Sequence, residues 1–145
     1  MIGHRLDDKV SVSPQISPVD LVQLAAEGVT SIICNRPDAE VGPDLASSLL
    51  EAAATDAGLG FCTVPLAPGA LTLETIANHL EAIDAAKGQV LAYCASGTRS
   101  AFLWAFAMAF SDRMVNEDIL AALDRAGYPS PGLIPQLDQV RALGR

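Results

Sequence analysis

The chain has 145 residues, of which 50% are hydrophobic and 18% are charged. This length suits one domain, and this composition supports a sizeable core, so we predict a single domain over residues 1–145. Nine lysines and arginines stand against 17 aspartates and glutamates, which gives a formal net charge of −8. The chain therefore lacks the basic surface of modules that bind nucleic acids or anionic membranes, and neither is an expected partner.

The terminus and the cysteines indicate the compartment. The longest apolar run, residues 101–110, is about half as long as a membrane span requires. Residues 1–9 lack the apolar segment of a secretory signal. An odd number of cysteines, three, argues against a disulfide framework. We therefore expect a cytoplasmic protein whose cysteines are free thiols.

Short runs of β-branched residues alternate with longer alanine- and leucine-rich stretches along the chain. The predicted strands cover residues 10–13, 30–34, 61–65 and 89–93. The predicted helices cover residues 18–27, 44–57, 73–86, 100–110, 116–126 and 136–143. Such alternation predicts an α/β fold in which a mostly parallel central sheet is flanked by helices.

The segment that carries chemistry is Tyr93-Cys94-Ala95-Ser96-Gly97-Thr98-Arg99-Ser100. It joins a buried strand to an apolar helix, which places it at the carboxyl edge of a parallel sheet, where ligands bind. Backbone N–H groups of such a turn and the start of the helix form a cradle for anions. Gly97 supplies the backbone freedom for the turn, and Arg99 supplies a planar cation for an oxyanion.

Cys94, at the mouth of this cradle, is the predicted nucleophile, because helix N-termini and neighbouring arginines favour the thiolate form of cysteine. Thr98 and Ser100 could donate hydrogen bonds to the thiolate or to a departing one. The predicted substrate-binding residues are Ala95, Ser96, Gly97, Thr98 and Arg36. A structural cysteine before a helix is the alternative, but Cys, Gly, Arg and two hydroxyls together favour a functional site.

Four motifs resemble those of a bacterial family, the beta-lactamase-hydrolase-like protein phosphatase-like domains, over residues of about 15–110. They are Ile16-Ser17-Pro18, Asn35-Arg36-Pro37-Asp38, the run from Leu91 to Ser100, and Trp104-Ala105. This family is grouped with the cysteine-dependent phosphatases. The resemblance implies the single-domain α/β fold of protein tyrosine and dual-specificity phosphatases. It also implies hydrolysis through a phosphocysteine, with Cys94 as nucleophile and Arg99 as phosphate clamp.

Three features depart from the phosphatase pattern. The loop between Cys94 and Arg99 is one residue shorter than in these phosphatases, and its Cys-x-x-Gly-x-Arg-Ser spacing resembles the active loop of rhodanese sulfurtransferases. Tyr93 stands where phosphatases usually have histidine. The segment 66–71 contains no carboxylate or histidine to protonate a leaving oxygen. Asp38 is the predicted replacement acid.

Two further residues lie near the same sheet edge. Arg36 is predicted to add a second cation for an anionic substrate, although Asn-x-Pro-Asp is also ordinary turn chemistry. Cys34, at the end of a predicted strand, is either a resolving thiol for Cys94 or a small buried core residue.

Three functions remain open. The first is a phosphatase-like hydrolase acting on a small phosphate ester through Cys94. The alternative is a rhodanese-type sulfurtransferase that takes sulfur from a sulfane-sulfur donor and carries it as a persulfide on Cys94. The third is an anion-binding module without turnover. No cluster has metal-ligand spacing and no dinucleotide fingerprint occurs, so we expect neither a metal nor another cofactor.

Overall fold

The computed structural model describes residues 2–145 and contains one five-stranded sheet. The strands are β1 (His4–Arg5), β2 (Val10–Ser13), β3 (Val29–Cys34), β4 (Gly60–Thr63) and β5 (Gln89–Tyr93). Their spatial order is β1-β2-β5-β3-β4, in which β1 is antiparallel to β2 and the other neighbours are parallel. The mostly parallel sheet predicted from the sequence is therefore confirmed.

Six α-helices cover the two faces of this sheet. They are α1 (Pro18–Ala26), α2 (Ser47–Asp56), α3 (Leu73–Ala85), α4 (Thr98–Phe110), α5 (Asn116–Ala126) and α6 (Ile134–Leu143). One hydrophobic cluster packs α1 and α2 against one face of the sheet. A larger cluster packs the four helices from α3 through α6 against the other face. None of the helices in residues 2–145 is long and apolar enough to cross a membrane.

Helix α4 is the centre of the larger cluster. Nine of its residues are buried, and Trp104 is completely inaccessible to solvent. A helix that is apolar on all sides must be enclosed on all sides, and α4 packs against α3, α5, α6 and β2. The start of α4, where the Cys94 loop enters it, is thus anchored in the rigid interior.

Several element boundaries differ from the predicted ones; β4 ends at Thr63 instead of residue 65, and α6 begins at Ile134 instead of residue 136. The helix predicted from residue 44 begins at Ser47, because Pro43–Leu45 forms a separate 3₁₀ turn and Ala46 is extended, with ψ 145°. Helix α4 begins at Thr98, two residues earlier than predicted, since Gly97 is its N-cap. The two-residue strand β1 was not predicted and is too short to show a periodic pattern.

The Asp7 carboxylate ties the N-terminal hairpin to this central helix. It accepts hydrogen bonds from the backbone N–H groups of Lys9 (2.8 Å) and Val10 (2.7 Å) and from Nε1 of Trp104 (2.9 Å). The indole N–H of a fully buried tryptophan requires such an acceptor.

We expect Asp7→Ala to lower the free energy of unfolding by about 1–3 kcal/mol, because it leaves the buried Trp104 N–H without an acceptor. Urea denaturation followed by tryptophan fluorescence measures this loss. The neighbouring Asp8→Ala is the matched control, since Asp8 is exposed. Equal stabilities of the two variants would contradict the assigned role of Asp7.

Candidate active site

The carboxyl ends of β3, β4 and β5 meet at one edge of the sheet, and the segment 94–100, here called the active loop, follows β5 there. Two backbone hydrogen bonds fix its beginning to the segment after β2. The Cys94 N–H donates to the Ser13 carbonyl (3.4 Å), and the Gln15 N–H donates to the Ala95 carbonyl (3.3 Å). Cys94 itself is fully buried.

Gly97 determines the turn of the active loop. Its φ is 96°, a left-handed conformation that favours glycine, and its N–H donates to Cys94 Sγ at 3.2 Å. A Cβ atom at this position would collide with the hydroxyl of Tyr128 and crowd the backbone of Ser13. Only glycine therefore fits here, and its N–H is aimed at the sulfur.

The active loop offers unpaired backbone donors to an anion. In the described part of the chain, the N–H groups of Ala95, Ser96, Arg99 and Ser100 donate to no protein acceptor. Arg99 and Ser100 lie in the first turn of α4, where the helix dipole adds partial positive charge. A group of free donors therefore lies where the sequence predicts an anion cradle.

The hydroxyls of Ser96 and Thr98 form hydrogen bonds within the active loop. Ser96 Oγ donates to Thr98 Oγ1 (3.0 Å) and accepts from the Thr98 N–H (3.3 Å). The Tyr128 hydroxyl in turn donates to the Ser96 carbonyl (3.1 Å). These bonds hold the outer rim of the loop in shape.

Arg99 is oriented by two partners outside the loop. Its Nη1 donates to Glu40 Oε2 (2.9 Å) and to the Leu66 carbonyl (2.7 Å), and its Nη2 donates to Glu40 Oε1 (2.8 Å). The hydrogen bond to Glu40 contributes most to raising the pKa of Arg99, and Cys94 adds to the rise. The edge formed by Nε–H and the second Nη2–H remains for an anion.

Glu40 holds a second arginine as well. Arg36 donates from Nε to Glu40 Oε1 (3.3 Å) and from Nη1 to Gln15 Oε1 (3.2 Å). These contacts tie Arg36 to the carboxylate that orients Arg99 and to Gln15, whose backbone N–H binds the Ala95 carbonyl of the active loop. The Arg99 guanidinium, followed by that of Arg36, holds the pKa of Glu40 below its usual range, so this carboxylate carries no proton at neutral pH.

Asp38, the predicted acid, caps a helix instead. Its carboxylate accepts hydrogen bonds from the backbone N–H (2.8 Å) and the hydroxyl (2.9 Å) of Ser47, the first residue of α2. This is the ordinary use of an aspartate at a helix N-terminus. The contacts of Asp38 therefore favour the turn interpretation of this segment.

A buried polar network lies behind the active loop. The Ser100 hydroxyl donates to Asn35 Oδ1 (2.7 Å), and Asn35 Nδ2 donates to the Val64 carbonyl (2.9 Å) and lies 3.2 Å from His79 Nδ1. Ser100, Asn35 and His79 are completely buried. The hydroxyl proton of Ser100 therefore serves Asn35, which differs from the predicted hydrogen bond to the Cys94 thiolate.

Within this network His79 is neutral. Its Nδ1 faces the Asn35 amide and accepts, so the ring proton is on Nε2, which finds no partner in the described residues. Burial lowers the pKa of His79 to about 4. From the sequence alone, the spacing of His79 from Ile76 and Ile83 predicts a histidine at the surface or boundary of its helix. This prediction is wrong, because α3 packs the side chain directly against the sheet edge.

Cys34 is buried on the other face of the sheet edge. Its thiol donates to the Arg36 carbonyl (3.4 Å), and burial raises the pKa of this thiol. Both features suit a protonated core residue. No group of three or more His, Cys, Asp and Glu side chains in residues 2–145 could hold a metal ion.

Sequence reasoning missed four residues of this site: Asn35, Glu40, His79 and Tyr128. Of these residues, only Glu40 could have been found from the sequence. It stands four residues after Arg36, and no other basic residue follows it nearby as a competing partner. Tyr128 is brought to the loop by a turn 28 residues further along the chain than Ser100, and no local pattern announces such a contact.

Comparison with known families decides the relationship. The family described as beta-lactamase hydrolase-like protein, phosphatase-like domain, matches residues 4–111. The chain belongs to this family. The beta-lactamase hydrolase-like protein of Xylella fastidiosa is 31% identical over 123 residues, which are 85% of this chain and 28% of that protein. Its counterpart in Agrobacterium fabrum is 29% identical over 119 residues, 82% of this chain and again 28% of the relative. The chain thus spans little more than a quarter of these relatives.

Solved structures agree with this assignment. A candidate phosphatase from Neisseria meningitidis superimposes with a TM-score of 0.84 at 31% identity, covering 97% of this chain and 99% of that one. PTPMT1 (TM-score 0.77, 19% identity) covers 98% of this chain and 95% of its own, and shows the same fold. The chain is therefore a phosphatase-like domain with the α/β fold of protein tyrosine phosphatases.

The buried neutral His79 makes stability depend on pH. In the unfolded chain this histidine is protonated below about pH 6.5, and in the folded chain only below about pH 4. Between these values the unfolded state binds the extra proton, so the free energy of unfolding decreases as the pH falls. We expect this residue to lower the free energy of unfolding by about 2 kcal/mol between about pH 7 and about pH 5.

Urea denaturation at the two pH values measures this slope. His79→Gln keeps an acceptor for Asn35 and should remove most of the difference, whereas the matched His4→Gln, at an exposed histidine, should leave it. An unchanged slope in His79→Gln would show that another group is responsible.

Proposed function

We propose that Cys94 is the nucleophile of a covalent group-transfer enzyme whose small anionic substrate is held by the active loop and by Arg99. The observation that carries this proposal is the position of Cys94 Sγ, which accepts the Gly97 N–H at 3.2 Å at the start of α4. Donors aimed at the sulfur stabilise its charged form, and Arg99 and the free N–H groups stabilise the anion that reacts with it.

The leaving group separates the candidate reactions. Cleavage of a phosphate ester places negative charge on an oxygen that needs a proton. Asp38 is committed to Ser47, Glu40 is ionised between two arginines, and segment 66–71 holds no acid. Departure of sulfite needs no proton. The geometry therefore supports sulfane-sulfur transfer best, in keeping with the rhodanese-like spacing of the loop.

The transfer balances without a cofactor. The Cys94 thiolate attacks the outer sulfur of thiosulfate or of an organic thiosulfonate, so a Cys94 S–S bond forms while the bond to the sulfonyl sulfur breaks. Sulfite, or the sulfinate of an organic donor, leaves with that electron pair. The thiolate of a small acceptor then attacks the outer sulfur of the persulfide, carries it away, and regenerates the Cys94 thiolate. Arg99 and the loop donors hold the oxygens of the sulfonyl group until it departs.

Phosphate-ester hydrolysis through a phosphocysteine is the second candidate. Family membership and the fold support it, and a structural neighbour, PTPMT1, is known in complex with PI(5)P. In this reaction the Cys94 thiolate would attack phosphorus, the ester oxygen would leave, and water would release phosphate. Without a proton donor, the reaction would be limited to esters with good leaving groups, such as aryl phosphates.

Intact mass spectrometry of the reduced protein tests the first candidate. After incubation with thiosulfate, we expect a gain of one sulfur atom that a small thiol removes. Cys94→Ala should abolish the gain. Cys62→Ala is the matched control, because Cys62 is a half-buried free thiol outside the site and its loss should leave the gain intact.

Each other outcome identifies a different function. A free Cys94 thiol that gains no sulfur would overturn sulfur transfer, and a phosphoryl adduct with an aryl phosphate would then establish the second candidate. Binding of sulfate without either adduct would identify a module without turnover. A sulfur gain that survives Cys94→Ala would overturn every role proposed for Cys94.

A further inference from the structure

An apolar groove opens beside the clamp arginine. Its inner part is a cleft of about 250 Å³ between the segment after β4 and helices α4 and α6. Among its lining residues are Leu66, Leu71, Arg99, Phe102 and Gln136. A second cleft of about 230 Å³ shares Leu71 and Gln136 with the first and continues toward the end of α6. The two clefts together are called the apolar groove.

Charge is confined to one end of the apolar groove. Arg99 is the one charged residue lining either cleft in the described part of the chain, and it is also the clamp of the active loop. The Leu66 carbonyl binds Arg99 Nη1, so the wall of the groove is continuous with the anion site. A ligand that fits both regions must carry an anionic group at one end and an apolar body at the other.

Exposed apolar side chains are concentrated along this groove. Leu71 is 40% exposed, Leu73 is 41% exposed and Leu143 is 55% exposed, and all three line it. Contiguous apolar surface of this kind next to a polar site marks a place where a partner is bound. Continuity with Arg99 indicates that this partner is the substrate itself.

We propose that the apolar groove binds the organic substituent of the substrate whose anionic group lies in the active loop. The preferred substrate is therefore an organic thiosulfonate with an aryl or alkyl body, whereas inorganic thiosulfate occupies the active loop alone and reacts more slowly. This proposal rests on the function proposed for Cys94. It refines that function by naming the part of the substrate that does not contact Cys94. Burial of an apolar body of benzene size is worth on the order of a tenfold gain in affinity or more.

Binding of two unreactive sulfonates tests the groove without turnover. In NMR titrations of the whole chain we expect benzenesulfonate to bind on the order of ten times more tightly than methanesulfonate. Gln136→Trp, which fills the middle of the groove from an exposed position on α6, should remove this preference. Leu71→Ser should reduce it, and Leu49→Ser, at an equally exposed leucine on α2, should leave it intact.

A turnover series separates this inference from the function of Cys94. The kcat/KM for persulfide formation should be about tenfold higher with benzenethiosulfonate than with methanethiosulfonate, and Gln136→Trp should equalise the two. Persulfide formation with equal rates and equal sulfonate binding would overturn the groove alone. Preferential benzenesulfonate binding without persulfide formation would keep the groove and overturn sulfur transfer. A preference unchanged by Gln136→Trp would place the apolar body elsewhere.

Discussion

The site depends on one buried residue, Asn35, which joins three strand ends and a helix. Its backbone N–H donates to the Tyr93 carbonyl and its carbonyl accepts from the Leu66 N–H, so the ends of β3, β4 and β5 are tied together. Its side chain adds Val64, His79 and Ser100. A buried amide is stable only when its donors and acceptors are paired, and here each pairing fixes the position of a different element.

From this junction the positions of the reactive groups follow. Ser100 is held by Asn35 at the start of α4, and the backbone between Cys94 and Ser100 must then turn through the left-handed Gly97. That turn directs the Gly97 N–H at the sulfur. The Leu66 carbonyl also anchors Arg99, so the segment that Asn35 holds positions the guanidinium of the proposed clamp as well. Preorganised donors of this kind stabilise charge without reorganisation during the reaction.

The family assignment and the local chemistry describe different levels of this protein. The fold is that of protein tyrosine phosphatases, whereas the reaction is determined by groups within the site. Glu40 places a carboxylate near the cradle. Arg36 and Arg99 keep this carboxylate ionised, and it in turn orients the Arg99 guanidinium. The fold therefore leaves the choice of reaction to these groups, and the ionised Glu40 is why we propose a transfer whose leaving group needs no proton.

The sequence predicted the layers and the active loop because both rest on local patterns. Strand and helix patterns placed β2 to β5 and all six α-helices to within a few residues, and the Cys94–Ser100 motif placed the active loop at the end of β5. The partners of that motif could not be predicted in the same way. Asp38 and Arg36 stand at the sheet edge as expected, but which carboxylate turns toward Arg99 depends on a 3₁₀ turn, and the burial of His79 depends on how α3 packs.

The contact of Tyr128 with the active loop has a consequence for how the catalytic unit is delimited. The family match ends at residue 111, yet the hydroxyl that supports the Ser96 carbonyl and covers Gly97 comes from beyond α5. A fragment cut at the end of the match would keep every residue of the Cys94–Ser100 motif and lose the side chain that closes over it. It would also expose the face of α4 that α5 and α6 now cover. The smallest fragment that keeps the active loop covered therefore extends at least through Tyr128.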